Sequence, residues 1–233
     1  MTIMQMPCNP GNYTAHRSSA IRYIVIHYTG APGTAKNCGT YFGRDPDIGA
    51  SAHYFVDEHD IVQSVPDAAR AWHCGASAYK HTECRNDNSL GVELCCYPNG
   101  DGTWYFAPET VSNAVQLVRS LMGKYNIDAD HIVRHYDVTG KVCPEPWVRD
   151  AAAWAEFKAR LTVPETEETV SKTYKNITDV PDYWRADVQE LMNLGLINGG
   201  TPASVNDKDV NLSEDTIKAL VIMKGYVDKR MET

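Results

Sequence analysis

Among the side chains of this 233-residue sequence that can hold a metal or move a proton, eight histidines and seven cysteines come first. Several histidines have a plain explanation: His16 lies in a polar N-terminal stretch, and His59, His81 and His131 stand in no supporting pattern. His27 differs, because it interrupts an apolar run and a buried imidazole needs partners for both ring nitrogens. His135 and Cys143 share one short segment, HYDVTGKVCPEP, in which Pro144 and Pro146 stiffen the chain after the thiol. Imidazole and thiolate both suit zinc. Three such ligands would leave the fourth tetrahedral position to water, the arrangement of a catalytic rather than a structural site. Spacing alone leaves a second explanation standing: a buried free cysteine and two unrelated histidines.

These residues need elements to position them. Arg22 to Tyr28 (RYIVIHY) is a β-branched apolar run closed by a Thr-Gly turn, which fits a buried strand with His27 at its end. Ala52 to Asp57 and Asp60 to Val65 suggest a hairpin. Between Leu90 and Cys95, period two sets Leu90, Val92 and Leu94 on one face and Gly91, Glu93 and Cys95 on the other. Pro108 opens a helix in which Val111, Val115, Val118, Met122 and Tyr125 recur at helical spacing. A strand from His131 to His135 and a helix around Trp147 to Leu161 complete the pattern. Strands interspersed with helices indicate an α/β fold with a central mixed β-sheet flanked by helices.

TVPETEETVSKT, residues 162–173, breaks both periodicities and reads as an acidic linker between a domain at 1–161 and a small helical one at 174–233. In that last domain Trp184, Val188, Leu191 and Met192 form a stripe ended by Gly195, and Ser213 is a candidate N-cap for a second helix. Residues 162–233 carry 8 basic and 13 acidic side chains and supply most of the net charge of −8. With a pI near 5.4 the chain lacks the field to neutralise a row of phosphates, which argues against a nucleic-acid partner. No apolar run nears the roughly 20 residues that span a bilayer. The odd cysteine count and the adjacent Cys95 and Cys96 favour reduced thiols, one of them bound to metal.

Five motifs now stand in order: YIVIHYTG from Tyr23, SAHYFVDE from Ser51, AWHCG from Ala71, SLGVELC from Ser89 and HYDVTGKVCPEP from His135. Together they resemble the zinc-dependent N-acetylmuramoyl-L-alanine amidases, the family of phage amidase-type lysozymes and peptidoglycan recognition proteins. The resemblance implies one zinc ion on His27, His135 and Cys143, in a cleft that cuts peptidoglycan between N-acetylmuramic acid and L-alanine. It also implies Glu93 as the catalytic carboxylate, Lys141 as its cationic companion, and His53, Tyr54, Trp72 and His73 as cleft-lining, substrate-binding positions. Ala52 stands where some members have tyrosine, which leaves proton transfer to Glu93. Glu145 stands where a glycine is frequent, a change that matters if the position needs positive φ.

The tail, from Asp179 to Gly200 and from Val210 to Met223, resembles a single S-layer-homology-like repeat, with Leu212 to Asp215 departing from the usual signature. Wall binding and self-association into a homodimer through Trp184 and Leu191 are its competing expectations. Met1 to Ser19 is broken by Pro7, Asn9, Pro10 and Gly11 where a signal peptide needs a continuous apolar stretch. The expected protein is an endolysin or autolysin held in the cytoplasm until released to the wall, or exported by a non-standard route. A cytoplasmic amidase recycling wall fragments and a non-catalytic peptidoglycan receptor are the alternatives. Cys143 speaks against the receptor.

Overall fold

In the computed structural model of the chain, the described residues are 2–162, 173–194, 196, 209–213, 216, 217, 220, 221 and 224. The chain divides into two units, Met1–Val163 and Pro164–Thr233. That division falls inside the expected linker, of which residues 163–172 lie outside the described set, as does Gly195.

In chain order the first unit contains β1 (Ile3–Gln5), β2 (Tyr13–Thr14), β3 (Tyr23–Tyr28), α1 (Ala35–Arg44), β4 (Tyr54–Val56), β5 (Ile61–Gln63), β6 (Arg70–Ala71) and β7 (Ser89–Leu94). There follow β8 (Tyr97–Pro98), β9 (Trp104–Tyr105), α2 (Pro108–Tyr125), β10 (Ile132–Arg134), α3 (His135–Thr139), α4 (Glu145–Arg149) and α5 (Ala151–Thr162). A mixed sheet in the order β1-β5-β4-β7-β3-β10 is the frame. Only the β4–β5 pair within it is antiparallel. β3 and β7 are interior neighbours in it, buried on both faces as parallel strands usually are, in a register that sets His27 beside Glu93.

The two sheet faces have different tasks. Ile24, Ile26, Leu90, Val92 and Leu94 pack with Leu117, Val118 and Leu121 of α2 and Phe157 of α5. On the opposite face Tyr23 and Val25 meet Cys74, Cys84 and Val138, while Phe55 and Val62 meet Ala35 and Phe42 of α1. Pro108 occupies the first turn of α2, and Asn126 ends it at φ 51°, a left-handed position that asparagine tolerates. The sequence pattern gave no helix at α1. Its start is fixed by a reciprocal cap in which Asn37 N–H donates to Thr34 Oγ1 and Thr34 N–H to Asn37 Oδ1.

Three expectations are corrected. The strand expected to reach His135 stops at Arg134, and His135 opens α3 instead. The helix expected around Trp147 to Leu161 is two helices, because Asp150 ends α4 and accepts the Ala152 and Ala153 N–H groups at the start of α5. The second unit is not wholly helical. Beside α6 (Asp182–Asn193) it has β11 (Thr173–Asn176) antiparallel to β12 (Asp209–Ser213), so Ser213 closes a strand. Leu191 is buried in that unit's own core with Tyr174, Val188 and Ile217, and Trp184 packs against it. Burial takes Leu191 from the expected interface pair, while Trp184 stays partly exposed. No helix among the described residues is long and apolar enough to cross a membrane.

Candidate functional site

The parallel strands β3, β7 and β10 deliver their C-terminal ends to one place, where α/β sheets commonly carry their sites. His27 comes from the end of β3, Glu93 from β7, and His135 from the first residue after β10. Arg134 forks onto Asp137 through Nε and Nη2 at 3.0 and 2.8 Å and donates through Nη1 to the Trp147 carbonyl at 2.9 Å. Asp137 also takes the Arg134 N–H, which holds the start of α3. Tyr136 N–H donates to the Cys143 carbonyl at 2.8 Å, so the segments bearing His135 and Cys143 are joined directly.

His27, His135 and Cys143 are all buried, and one donor atom from each lies within 4.8 Å of the others. Cys143 Sγ is 3.7 Å from His27 Nδ1. With Zn–N and Zn–S bonds of usual length, a tetrahedral N···S edge is about 3.6 Å. The Nδ1 of His135 is buried with no hydrogen-bond partner among the described residues, an expensive condition that a metal would relieve. Burial, with His73, His135 and Lys141 adding, pushes His27 well below the ordinary histidine pKa. Burial and the Lys141 ammonium bring His135 down to about 4. Both imidazoles are thus neutral, as ligands need to be. Burial, reinforced by Glu93 and only partly opposed by the Lys141 ammonium, pushes the Cys143 thiol up to about 12. Two imidazoles and a thiol fit zinc.

Glu93 Oε1 lies 3.9 Å from His27 Nδ1, and its Oε2 is buried without a partner among the described residues. Burial, with Cys38 adding and the Lys141 ammonium opposing, pushes this carboxyl up to about 8. Lys141 itself is exposed and its N–H donates to Thr139 Oγ1. It lines a cleft of about 590 Å³ together with Trp72, His73, Asn86 and His135. Glu93 borders a second hollow of about 380 Å³, walled by Cys38, Tyr41, Phe42 and Phe55. Nothing in the sequence pattern marked that hollow, because α1, which forms its wall, was not foreseen.

His53 and Tyr54 are a correction, because neither lines the cleft. His53 is fully buried: its Nδ1 accepts the Gly91 N–H at 2.9 Å and its Nε2 lies 3.3 Å from the Ala69 carbonyl. Tyr54 is 2% exposed and donates its hydroxyl to Asp67 Oδ1 at 2.6 Å. Trp72 is half-buried at the cleft, its Nε1–H held by Thr14 Oγ1 at 3.1 Å. His73 lies 3.0 Å from His27 through Nδ1 and 3.2 Å from Ser89 Oγ through Nε2. Glu145 is the first residue of α4 with ordinary backbone, so that position needs no glycine. All seven cysteines are free thiols.

The sequence pattern of the N-acetylmuramoyl-L-alanine amidases matches residues 17–146, more than half of the chain. A probable N-acetylmuramoyl-L-alanine amidase of Bacillus licheniformis is 42% identical over 164 residues, which cover 66% of this chain and 44% of that protein. The chain spans about half the length of the curated relatives it matches. Among solved structures, PlyL superposes with a TM-score of 0.59 at 27% identity, covering 69% of this chain and 97% of PlyL. A mutant endolysin from Bacillus subtilis superposes with a TM-score of 0.54 at 29% identity, covering 69% of this chain and 99% of that one. The chain therefore belongs to the N-acetylmuramoyl-L-alanine amidase family.

Proposed function

We propose that the first unit is a zinc-dependent hydrolase that cleaves the amide joining N-acetylmuramic acid to L-alanine in peptidoglycan. One observation carries the reading: His27, His135 and Cys143 bring one donor atom each into a single 4.8 Å cluster, His135 has a buried Nδ1 with no partner among the described residues, and beside them stands a carboxylate with an unpaired oxygen. Bound by these three residues, zinc would polarise the amide carbonyl and bring a water toward a pKa of about 7. Glu93 accepts the proton of the attacking water on its carboxylate and returns it to the departing L-alanine nitrogen. The burial that raises its pKa lets it hold that proton between the two steps. The Lys141 ammonium, in the cleft wall with His135, faces the oxygen that gains negative charge. Trp72, its ring fixed by Thr14, offers an apolar face to a sugar.

Digestion of purified wall with and without chelator tests this. The expected result is new free amino groups without new reducing sugars, abolished by chelator and restored by zinc. New reducing sugars would mean a glycosidase and end the proposal, and wall binding without cleavage would favour a receptor. The names and folds of the relatives support an endolysin or autolysin as the whole protein. For the second unit we propose wall anchoring, on the resemblance of Asp179 to Gly200 and Val210 to Met223 to an S-layer-homology-like repeat. Pull-down of the full chain on intact sacculi, against a chain ending at Thr162, reads it.

A further inference from the structure

The face of β7 turned toward the candidate ligands carries Ser89, Gly91 and Glu93 in alternation. Glu93 has its place in the proposed chemistry, and the other two serve His73. A Cβ on Gly91 would meet Cγ of the His73 ring at 2.5 Å, so the missing side chain is the seat of the imidazole. Asn86 Oδ1 accepts the N–H groups of His73 and Cys74 at 3.2 and 2.8 Å and fixes the backbone there. The ring then stands edge-on to His27, with centroids 5.1 Å apart.

The hydrogen bonds through this ring have one consistent direction. A carbonyl only accepts, so Ser89 spends its single hydroxyl proton on the Arg85 carbonyl at 2.6 Å. Ser89 Oγ is therefore the acceptor toward His73 Nε2, which carries the hydrogen. The His73 nitrogen facing His27 Nε2 at 3.0 Å is then Nδ1, and a His27 whose Nδ1 is turned to the Cys143 sulfur presents Nε2–H to it as the donor. The remaining lone pair of His27 falls on Nδ1, the nitrogen 3.7 Å from Cys143 Sγ.

We propose that His73, seated on Gly91 and oriented by Ser89, is a positioning residue that locks His27 in its Nε2–H tautomer and so makes Nδ1 the metal-binding atom. The inference rests on the zinc reading above. It assigns His73 a different task from substrate contact, since both its ring nitrogens are engaged within the protein. Loss of such an outer hydrogen bond typically weakens metal affinity 10–100-fold.

The test is zinc affinity by chelator competition on the full chain, with the His27 tautomer read from long-range proton–nitrogen spectra. His73→Leu removes the acceptor and is expected to weaken zinc binding by about 10–100-fold. His73→Asn, whose Oδ1 takes the place of the ring Nδ1, is expected to restore most of it. Ser89→Ala leaves the ring in place but frees its proton assignment, and is expected to cost about tenfold; it serves if His73→Leu does not fold. Wild-type spectra should show the hydrogen on His27 Nε2. Equal zinc affinity in wild type, His73→Leu and Ser89→Ala, or a hydrogen on His27 Nδ1, would overturn this inference alone. A wild-type chain with the stated tautomer that binds no zinc would overturn the zinc reading and this inference with it.

Discussion

Two buried polar clusters share the first unit, and they differ in what is left unsatisfied. Around Asp67 every carboxylate oxygen is used: Oδ1 accepts from Tyr54 and Gln63 at 2.6 and 3.0 Å, Oδ2 from Lys124 and Tyr125 at 2.9 and 2.5 Å. Around His27 the accounts stay open, since His135 Nδ1 and Glu93 Oε2 are buried without partners among the described residues. Burial alone would raise the pKa of both acids. In Asp67 the hydroxyls of Tyr125 and Tyr54 and the Lys124 ammonium overcome it and leave the pKa below the ordinary value, whereas in Glu93 burial prevails. A closed network holds strands and helix together. An open one has room for something that is not protein.

Exchanging the two clusters' roles is the most direct way to break this contrast. Glu93→Gln should lower wall hydrolysis by about 10³-fold with the melting temperature unchanged or raised, read by amino-group release and calorimetry. Lys141→Met should cost about 10²-fold in rate with little effect on stability, because the side chain is exposed. Asp67→Asn should do the reverse, removing about 2–3 kcal/mol of stability while leaving the rate at low temperature within a few-fold of wild type. Loss of activity without loss of stability in Asp67→Asn would mean that the two clusters are coupled.

Finer measurements sharpen the comparison. The folded-state pKa of Asp67 is depressed, so its contribution is full above the unfolded value near about 3.9 and lost as pH falls through the folded value. The acid limb of the stability curve should therefore be shallower in Asp67→Asn than in wild type, as read by urea unfolding between pH 5 and 2. Tyr54→Phe should cost about 1 kcal/mol and leave hydrolysis untouched.

His53 and Tyr54 show where sequence reading runs out. The SAHYFVDE motif is tied to the site by resemblance, and the tie is indirect: His53 braces Gly91, whose neighbour along the strand face is Glu93. β4 is buried throughout, so no alternation of polar and apolar residues shows which way Tyr54 points. Its partners Gln63 and Asp67 lie 9 and 13 residues further along the chain, and Tyr125, which shares Asp67, lies 71 further; local pattern carries no trace of them. His27, Glu93, His135 and Cys143 were singled out by the motif resemblance, since spacing alone left them unconnected; strand order brings the first three together, while Cys143 comes from the loop before α4, joined to Tyr136 by a backbone hydrogen bond. The place of His73 was half-legible, for the alternation of Ser89, Gly91 and Glu93 was in the sequence but the ring resting on Gly91 was not. α1 went unseen because Gly39 and Gly43 dilute its helical pattern, although Thr34 and Asn37 already spelled its cap.

The six-residue pairing between β3 and β7 has a consequence for how the candidate site tolerates change. Side chains alternate across a sheet, so sliding either strand by a single position would carry Glu93 through to the side packed on α2 and bring an aliphatic neighbour out beside the imidazole. The ladder thus works as a ruler as well as a scaffold. Insertions in the loops on either side can be absorbed, while one extra residue within either strand would extinguish hydrolysis and the hydrophobic interior in the same stroke.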